Sequence, residues 1–403
     1  MRYEPLLVYR GSHAPVLSVA CSWLKDLKHR MGLCENVIKL RGVCKRFGDR
    51  EVLRGLTLDV NRNEILTVVG PSGCGKTTTL NIIAGLCQPD EGEVFIDKVL
   101  VDGRLGRRRI HVMPARRKIG YVFQNYALFP HMKVFGNVSY GLKAMHLPKH
   151  EIKKQTQSLL EFVGLQDRSD SHPYVLSGGQ QQRVALVRSA ATNPEVLLLD
   201  EPLAALDPQI RENLRTELKS RLKTLQITTI YVTHDLAEAY ALSDRIAVLG
   251  RGRIEQIGHR DQLLEKPNSR FVAEFLGLNV YEGRISHDSP DLAKIKINAR
   301  EILANPIGNV NRQEVLVTIK PEDVILSREP VIRNQKWCGC TCNNIAGTIV
   351  EIIRMKSSAK VLIDVGFPIR SEMTLGSLKD LDLDEGKKAY VQFKADSLNV
   401  SLI

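Results

Sequence analysis

Nowhere in its 403 residues does the sequence hold a run of about 18 apolar residues, the length that a membrane-crossing helix needs. A role at a membrane would therefore need spans lent by a partner. Aromatic residues are scarce at 5%, and none interleave with the densest basic cluster, Arg107, Arg108, Arg109, Arg116, Arg117 and Lys118. Stacking on single-stranded nucleic acid needs that interleaving. The cluster therefore reads as a solvated basic loop, in spite of a net charge of +12. Zinc-site spacing is missing too. Cys21, Cys34, Cys44, Cys74 and Cys87 are scattered, as in a reducing compartment. The Cys338-Gly-Cys340-Thr-Cys342 run lacks the C-x2-C pattern and a second half. Long repeats and low-complexity linkers are absent. What is present, 43% hydrophobic and 25% charged residues, fits a globular chain of two or three domains.

From Val37 to about Gly277, short apolar β-branched runs alternate with helical segments, the pattern of an α/β core. Val37 to Val60 reads as an antiparallel pair. Candidate core strands are Ile65 to Val69, Ile119 to Phe123, Val196 to Leu199, Thr229 to Thr233 and Ile246 to Leu249. A helical insertion spans about 127–190. From residue 280 to 403 helical periodicity gives way to strands such as Glu314 to Ile319 and Gly347 to Ile353, an all-β domain of barrel-like spacing.

Gly70-Pro71-Ser72-Gly73-Cys74-Gly75-Lys76-Thr77 fits G-x4-G-K-[ST] and sits between a strand and a helical run that opens at Thr78, the context of a phosphate-binding loop. Its backbone N–H groups wrap phosphates at a helix N-terminus. Lys76 reaches the β- and γ-phosphates, and Thr77 offers a hydroxyl to Mg²⁺. The apolar strand Val196 to Leu199 ends in Asp200, placed for Mg²⁺, and Glu201, placed to deprotonate an attacking water. Ser177, Gly178, Gly179 and Gln180 open a helix 23 residues before Asp200. They make a second anion site, with Ser177 as N-cap. Cys74, beside Lys76 and helix N–H groups, is expected to favour its thiolate.

Together these residues resemble the ABC ATPase family, over roughly Val37 to Gly277. The resemblance implies an α/β P-loop NTPase core at 36–277 with a helical subdomain. It implies ATP and Mg²⁺ as cofactors. It further implies that Phe47 stacks on adenine, that Gln124 senses Mg²⁺ and the γ-phosphate, and that His234 contacts the γ-phosphate. Ala205-Leu206-Asp207 would link two sites across a homodimer. In that dimer, Ser177 to Gly179 of one copy face the phosphate loop of the other. Expected partners are transmembrane permease subunits and, indirectly, an extracytoplasmic solute-binding protein, with no nucleic acid. The expected place is the cytoplasmic face of the membrane. Export would separate such a site from ATP, so the apolar run Ala14 to Leu24 is not read as a secretory signal. Val16, Ala20, Trp23 and Leu27 recur at helical spacing and could lie on anionic lipid, but residues 1–35 are read as a dispensable extension.

The tail resembles the regulatory domain of importer ATPases for sugars, polyamines, iron and oxyanions, through Lys320-Pro321-Glu322-Asp323-Val324. Asn344 to Thr348 and Phe393 to Val400 are similar to OB-like, molybdate-binding-type barrels, which points to tungstate or molybdate as solute, with Lys394 as an anion contact. Those barrels usually carry an arginine where this chain has Asn343. Two other classes stay open: a soluble ABC ATPase acting on DNA or the ribosome, and an oxyanion store or sensor.

Overall fold

A computed structural model describes residues 36–204, 206, 208–288, 292–307, 314–330 and 342–402. The helix expected over Val16 to Leu27, Ala205 and Asp207 of the linking loop, and Cys338 and Cys340 lie outside them.

The first two thirds of the chain rest on two sheets. Six strands run in the order Arg253–Gly258, Arg245–Gly250, Ile65–Val69, Thr228–Thr233, Val196–Asp200 and Ile119–Val122. All neighbours are parallel except the edge strand Arg253–Gly258. Ile65–Val69, Val196–Asp200 and Thr228–Thr233 are buried at every residue. Strands covered on both faces show no alternation, which is why Ile65–Val69 and Val196–Leu199 read as nearly continuous apolar runs, while Thr228–Thr233 mixes threonines with Ile230, Tyr231 and Val232. The second sheet is antiparallel, in the order Arg50–Asn61, Asn36–Phe47, Glu91–Ile96, Val99–Leu105 and Arg108–His111.

Between the two sheets lies the helix Lys76–Ala84. Leu80, Ile82 and Ile83 are fully enclosed, in one cluster with Val37, Leu56 and Val94 on one side and Val68, Leu198 and Ile230 on the other. Each such side chain contributes about 1.5–3 kcal/mol relative to exposure, so this helix cannot shift without opening the core. Arg117 fixes its far end. The basic run was expected to be solvated, but Arg117 is 3% exposed. Its guanidinium donates to the carbonyls of Ile82 and Ile83, each at 2.9 Å, and to the carboxylate of Asp102. A cation on the last carbonyls of a helix meets the negative end of its dipole. Gly85 makes room, since a Cβ there would lie 2.5 Å from Arg117 Nε. The rest of the run, Arg107, Arg108, Arg109, Arg116 and Lys118, is exposed.

The helices Val134–Ala144, Lys149–Phe162 and Gly178–Ala190 share a small core of their own around Val138, Leu160, Val163 and Val187. The insertion begins later than its sequence pattern, because residues 123–133 form turns.

Beyond residue 278 the chain forms two antiparallel sheets. One has the order Arg300–Ala304, Ala293–Ile297, Asn279–Asp288, Glu314–Ile319 and Asn399–Leu402. The other has the order Ile325–Ser327, Lys388–Lys394, Cys342–Arg354, Ser358–Asp364 and Pro368–Thr374. Ile295 and Val317 from the first share a core with Ile349, Val361 and Ile369 from the second. The tail is built mainly of strands, but where an all-β domain was expected it also carries a short α-helix, Leu375–Asp380. Among the described residues no strand of one sheet pairs with the other, so the arrangement is two facing sheets rather than a hydrogen-bonded closed barrel.

Candidate active site

Four parallel strands end side by side, and expected site residues follow each carboxyl end, where ligands sit in open α/β sheets. Ile65–Val69 leads into the loop 70–75, Thr228–Thr233 into His234, Val196–Asp200 into Glu201, and Ile119–Val122 into Gln124. Val69 pairs with Thr233, Asp200 with Val232 and Val122 with Leu199, which sets these ends in one row.

Gly75 caps the helix Lys76–Ala84 with φ 111°, and a Cβ there would meet Leu53 Cδ2 at 2.6 Å. Only glycine fits both the backbone and the space. The first N–H groups of the helix have no carbonyl within it, so they point out of the loop as donors. Pro71, Ser72, Gly73 and Thr77 are exposed, Thr78 is half-buried, and Cys74 and Lys76 are buried. Lys76 Nζ donates to the carbonyls of Gly70 at 2.7 Å and Pro71 at 3.1 Å. Arg50 donates to the carbonyl of Gly73 at 3.4 Å, tying the first hairpin to the loop. Phe47 sits opposite Arg50 in that hairpin and is 52% exposed, with Lys45 Nζ 5.2 Å from the centre of its ring.

Asp200 is 6% exposed. Its carboxylate accepts from Thr77 Oγ1 at 3.2 Å and from the Tyr121 hydroxyl at 3.3 Å. Burial pushes this carboxyl above its usual range, and neighbouring Glu201 adds to that, against the pull of Thr77, Tyr121 and Lys76. Tyr121, which also donates to Asn81 Oδ1, was missed in the sequence. It lies 79 residues from Asp200, and no motif spacing joins them.

Glu201 stands at φ 45°, left-handed for a side-chain-bearing residue. Its N–H donates to the Val232 carbonyl at 3.0 Å, and its Oε2 lies 3.1 Å from His234 Nδ1. His234 is held from below. Asp235 caps the next helix through the N–H groups of Ala237 and Glu238. Buried Glu238 accepts from the hydroxyls of Tyr231 at 2.7 Å and Thr233 at 2.8 Å. Gln124 is exposed in its turn, and no hydrogen bond joins it to Thr77 or Asp200.

Ser177, Gly178, Gly179 and Gln180 lie apart from this row. Ser177 Oγ accepts from the N–H of Gln180 at 3.3 Å, and Gln180 Oε1 accepts from the N–H of Ser177 at 3.0 Å, a full capping box. Ser177 is exposed, and no hydrogen bond joins this cap to the phosphate loop. The expectation for Cys74 is reversed. The residue is 7% exposed, and burial pushes its thiol up further than Lys76 pulls it down. Helix N–H groups favour a thiolate only where the sulfur keeps some contact with water, and here the sulfur faces the core. Among the described residues no group of three metal-ligating His, Cys, Asp or Glu side chains occurs, and no helix is long and apolar enough to cross a membrane.

The family described as ABC transporter matches residues 53–204. The spermidine/putrescine import ATP-binding protein PotA of Clostridium acetobutylicum is 42% identical over 295 residues, covering 73% of this chain and 80% of that protein. The Fe(3+) ions import ATP-binding protein FbpC of Photobacterium profundum is 38% identical, over 79% of this chain and 87% of its own. The trehalose/maltose import ATP-binding protein MalK of Thermococcus litoralis is 39% identical, over 81% and 87%.

Proposed function

The chain belongs to the ATP-binding subunits of ABC importers and hydrolyses ATP to drive transport, and from that premise we propose which residues do the work and in what assembly. The loop from Gly70 to Gly75 wraps the phosphates, Lys76 neutralises the β- and γ-phosphates, and Thr78 continues the row of helix donors. Phe47 stacks on adenine. The oxygens of Thr77 and Asp200 suit a hard divalent ion, and the rise in the Asp200 carboxyl caused by burial is the cost that such an ion would offset. Mg²⁺, when bound, would neutralise charge on the phosphates, and Gln124 would turn toward it.

Glu201 takes a proton from the attacking water as the water oxygen bonds to the γ-phosphorus. The bond from that phosphorus to the β–γ bridging oxygen breaks, leaving ADP and phosphate. His234 orients Glu201 and approaches the γ-phosphate. The 3.1 Å contact between Glu201 and His234, one strand end from the Thr77–Asp200 pair, carries this reading. Ser177 to Gly179 supply the missing face of a second copy's ATP in a homodimer. Permease subunits give the membrane spans, a solute-binding protein delivers cargo, and the subunit works at the cytoplasmic face.

For the solute, we place polyamine, ferric iron and sugar ahead of tungstate or molybdate. The relatives name those three cargoes at 38–42% identity. In the tail, Asn343 replaces the arginine of oxyanion barrels. Its amide is spent on the backbone of Leu303, accepting from the N–H at 2.7 Å and donating to the carbonyl at 2.8 Å. Lys394, on whose retention the oxyanion reading drew, therefore has no help from the amide of Asn343. The test is ATPase stimulation of the complete complex by spermidine, ferric iron, maltodextrin, tungstate and molybdate. Stimulation by one of the first three supports this order, and stimulation by oxyanions alone reverses it.

A further inference from the structure

The helix that opens with the Ser177 cap grips the Gln124 turn with its last residues. Arg188 lies in the final turn of Gly178–Ala190. Its guanidinium donates to the carbonyls of Ala127 at 2.7 Å and Tyr126 at 2.8 Å, and its Cζ lies 5.4 Å from the centre of the Phe129 ring. Ser189 donates to the carbonyl of Tyr121 at 2.8 Å. The residues so held are unusual. Tyr126 and Ala127 have φ 62° and 45°, two consecutive left-handed residues, neither of them glycine. Such backbone persists only where its surroundings over-determine it. The turn is short and self-bonded: the N–H of Tyr126 donates to the Phe123 carbonyl at 2.8 Å, and that of Ala127 to the Asn125 carbonyl at 2.7 Å. Gln124 lies inside it.

We propose that Arg188 is a positioning residue for hydrolysis, holding the strained Tyr126–Ala127 turn so that Gln124 is presented to the nucleotide site. Ser177 and Arg188 stand 11 residues apart on one helix, about 16 Å at the rise of an α-helix. One rigid element therefore joins the cap that faces one nucleotide to the turn that senses the other. A planar, forked guanidinium suits two neighbouring carbonyls and a ring face, which a lysine ammonium cannot serve together. Arg188 acts on the backbone of the turn and through it on Gln124, so the inference rests on the role given to Gln124 above.

The test uses the full chain, with Gln124→Ala as reference. Arg188→Ala should lower kcat by about tenfold while ATP affinity stays within about twofold, the split expected when an interaction serves only the transition state. Arg188→Lys should recover little. Ala127→Gly, which relieves the left-handed strain, should restore at least half of the lost kcat when added to Arg188→Ala, whereas a merely stabilising arginine would show recovery in Tm and none in kcat. Wild-type kcat in Arg188→Ala beside an impaired Gln124→Ala overturns the inference, as does a loss that Ala127→Gly leaves untouched. Normal turnover in Gln124→Ala would instead remove the reading of Gln124, and with it the inference.

Discussion

Asp200 and Asn343 are almost equally buried, at 6% and 5% exposure, and are held in opposite ways. Asn343 is complete. Its amide oxygen and nitrogen both bond to the backbone of Leu303, stapling Arg300–Ala304 of one sheet to Cys342–Arg354 of the other. Asp200 receives two hydroxyls and, among the described residues, no guanidinium or ammonium ion pair, and its carboxyl is pushed up by burial. A buried carboxylate kept at that cost belongs to a site with further chemistry to do, whereas a buried amide with every atom paired belongs to the fold. The nucleotide half and the tail thus spend their buried polar groups differently.

Four substitutions press on that contrast. The largest effect is expected from Glu201→Gln: turnover should fall by about 10²–10⁴, the range for loss of a general base, with ATP binding intact by a fluorescent-nucleotide titration. Near-normal turnover would remove Glu201 from the chemistry. Lys76→Ala should weaken nucleotide binding itself by about 10- to 100-fold, the worth of hydrogen bonds to a charged group. Unchanged affinity would mean that its bonds to Gly70 and Pro71 are its whole purpose. Asn343→Ala should destabilise the chain by about 1–3 kcal/mol, the cost of leaving buried backbone groups unpaired, with kcat unchanged. Denaturant unfolding that shows no loss would break the contrast from the tail's side. The smallest effect concerns Cys74. Because burial raises its thiol, the thiolate is scarce until pH passes the usual thiol range, so alkylation at neutral pH should be slow and should accelerate as pH rises. Exposed Cys342 should react before buried Cys74, and rapid inhibition that Cys74→Ala removes would contradict the burial.

What could be read from the sequence follows the same division. The phosphate loop, Asp200 and Glu201 are legible because strand, loop and helix follow one another within a few residues, so local spacing carries the geometry. Tyr121 beneath Asp200, Asp102 beneath Arg117 and Arg188 on the Gln124 turn are not legible, since each contact spans 15 to 79 residues. The basic cluster misled because composition cannot show that one of its five arginines turns inward to cap a helix. The two tail sheets were readable as strands from their alternation, but not as facing sheets, because alternation sets which side of a strand is buried and says nothing of whether the edges join.

In the proposed assembly, the Ser177 cap of a second copy completes the site at which this chain hydrolyses ATP. Light scattering on Glu201→Gln with and without ATP and Mg²⁺ tests it most directly. The protein should be a monomer without nucleotide and a dimer with it, with the dimer abolished when Ser177→Arg is added although ATP still binds. A Glu201→Gln protein that stays monomeric with ATP bound, or dimerises equally well with Ser177→Arg, would contradict it.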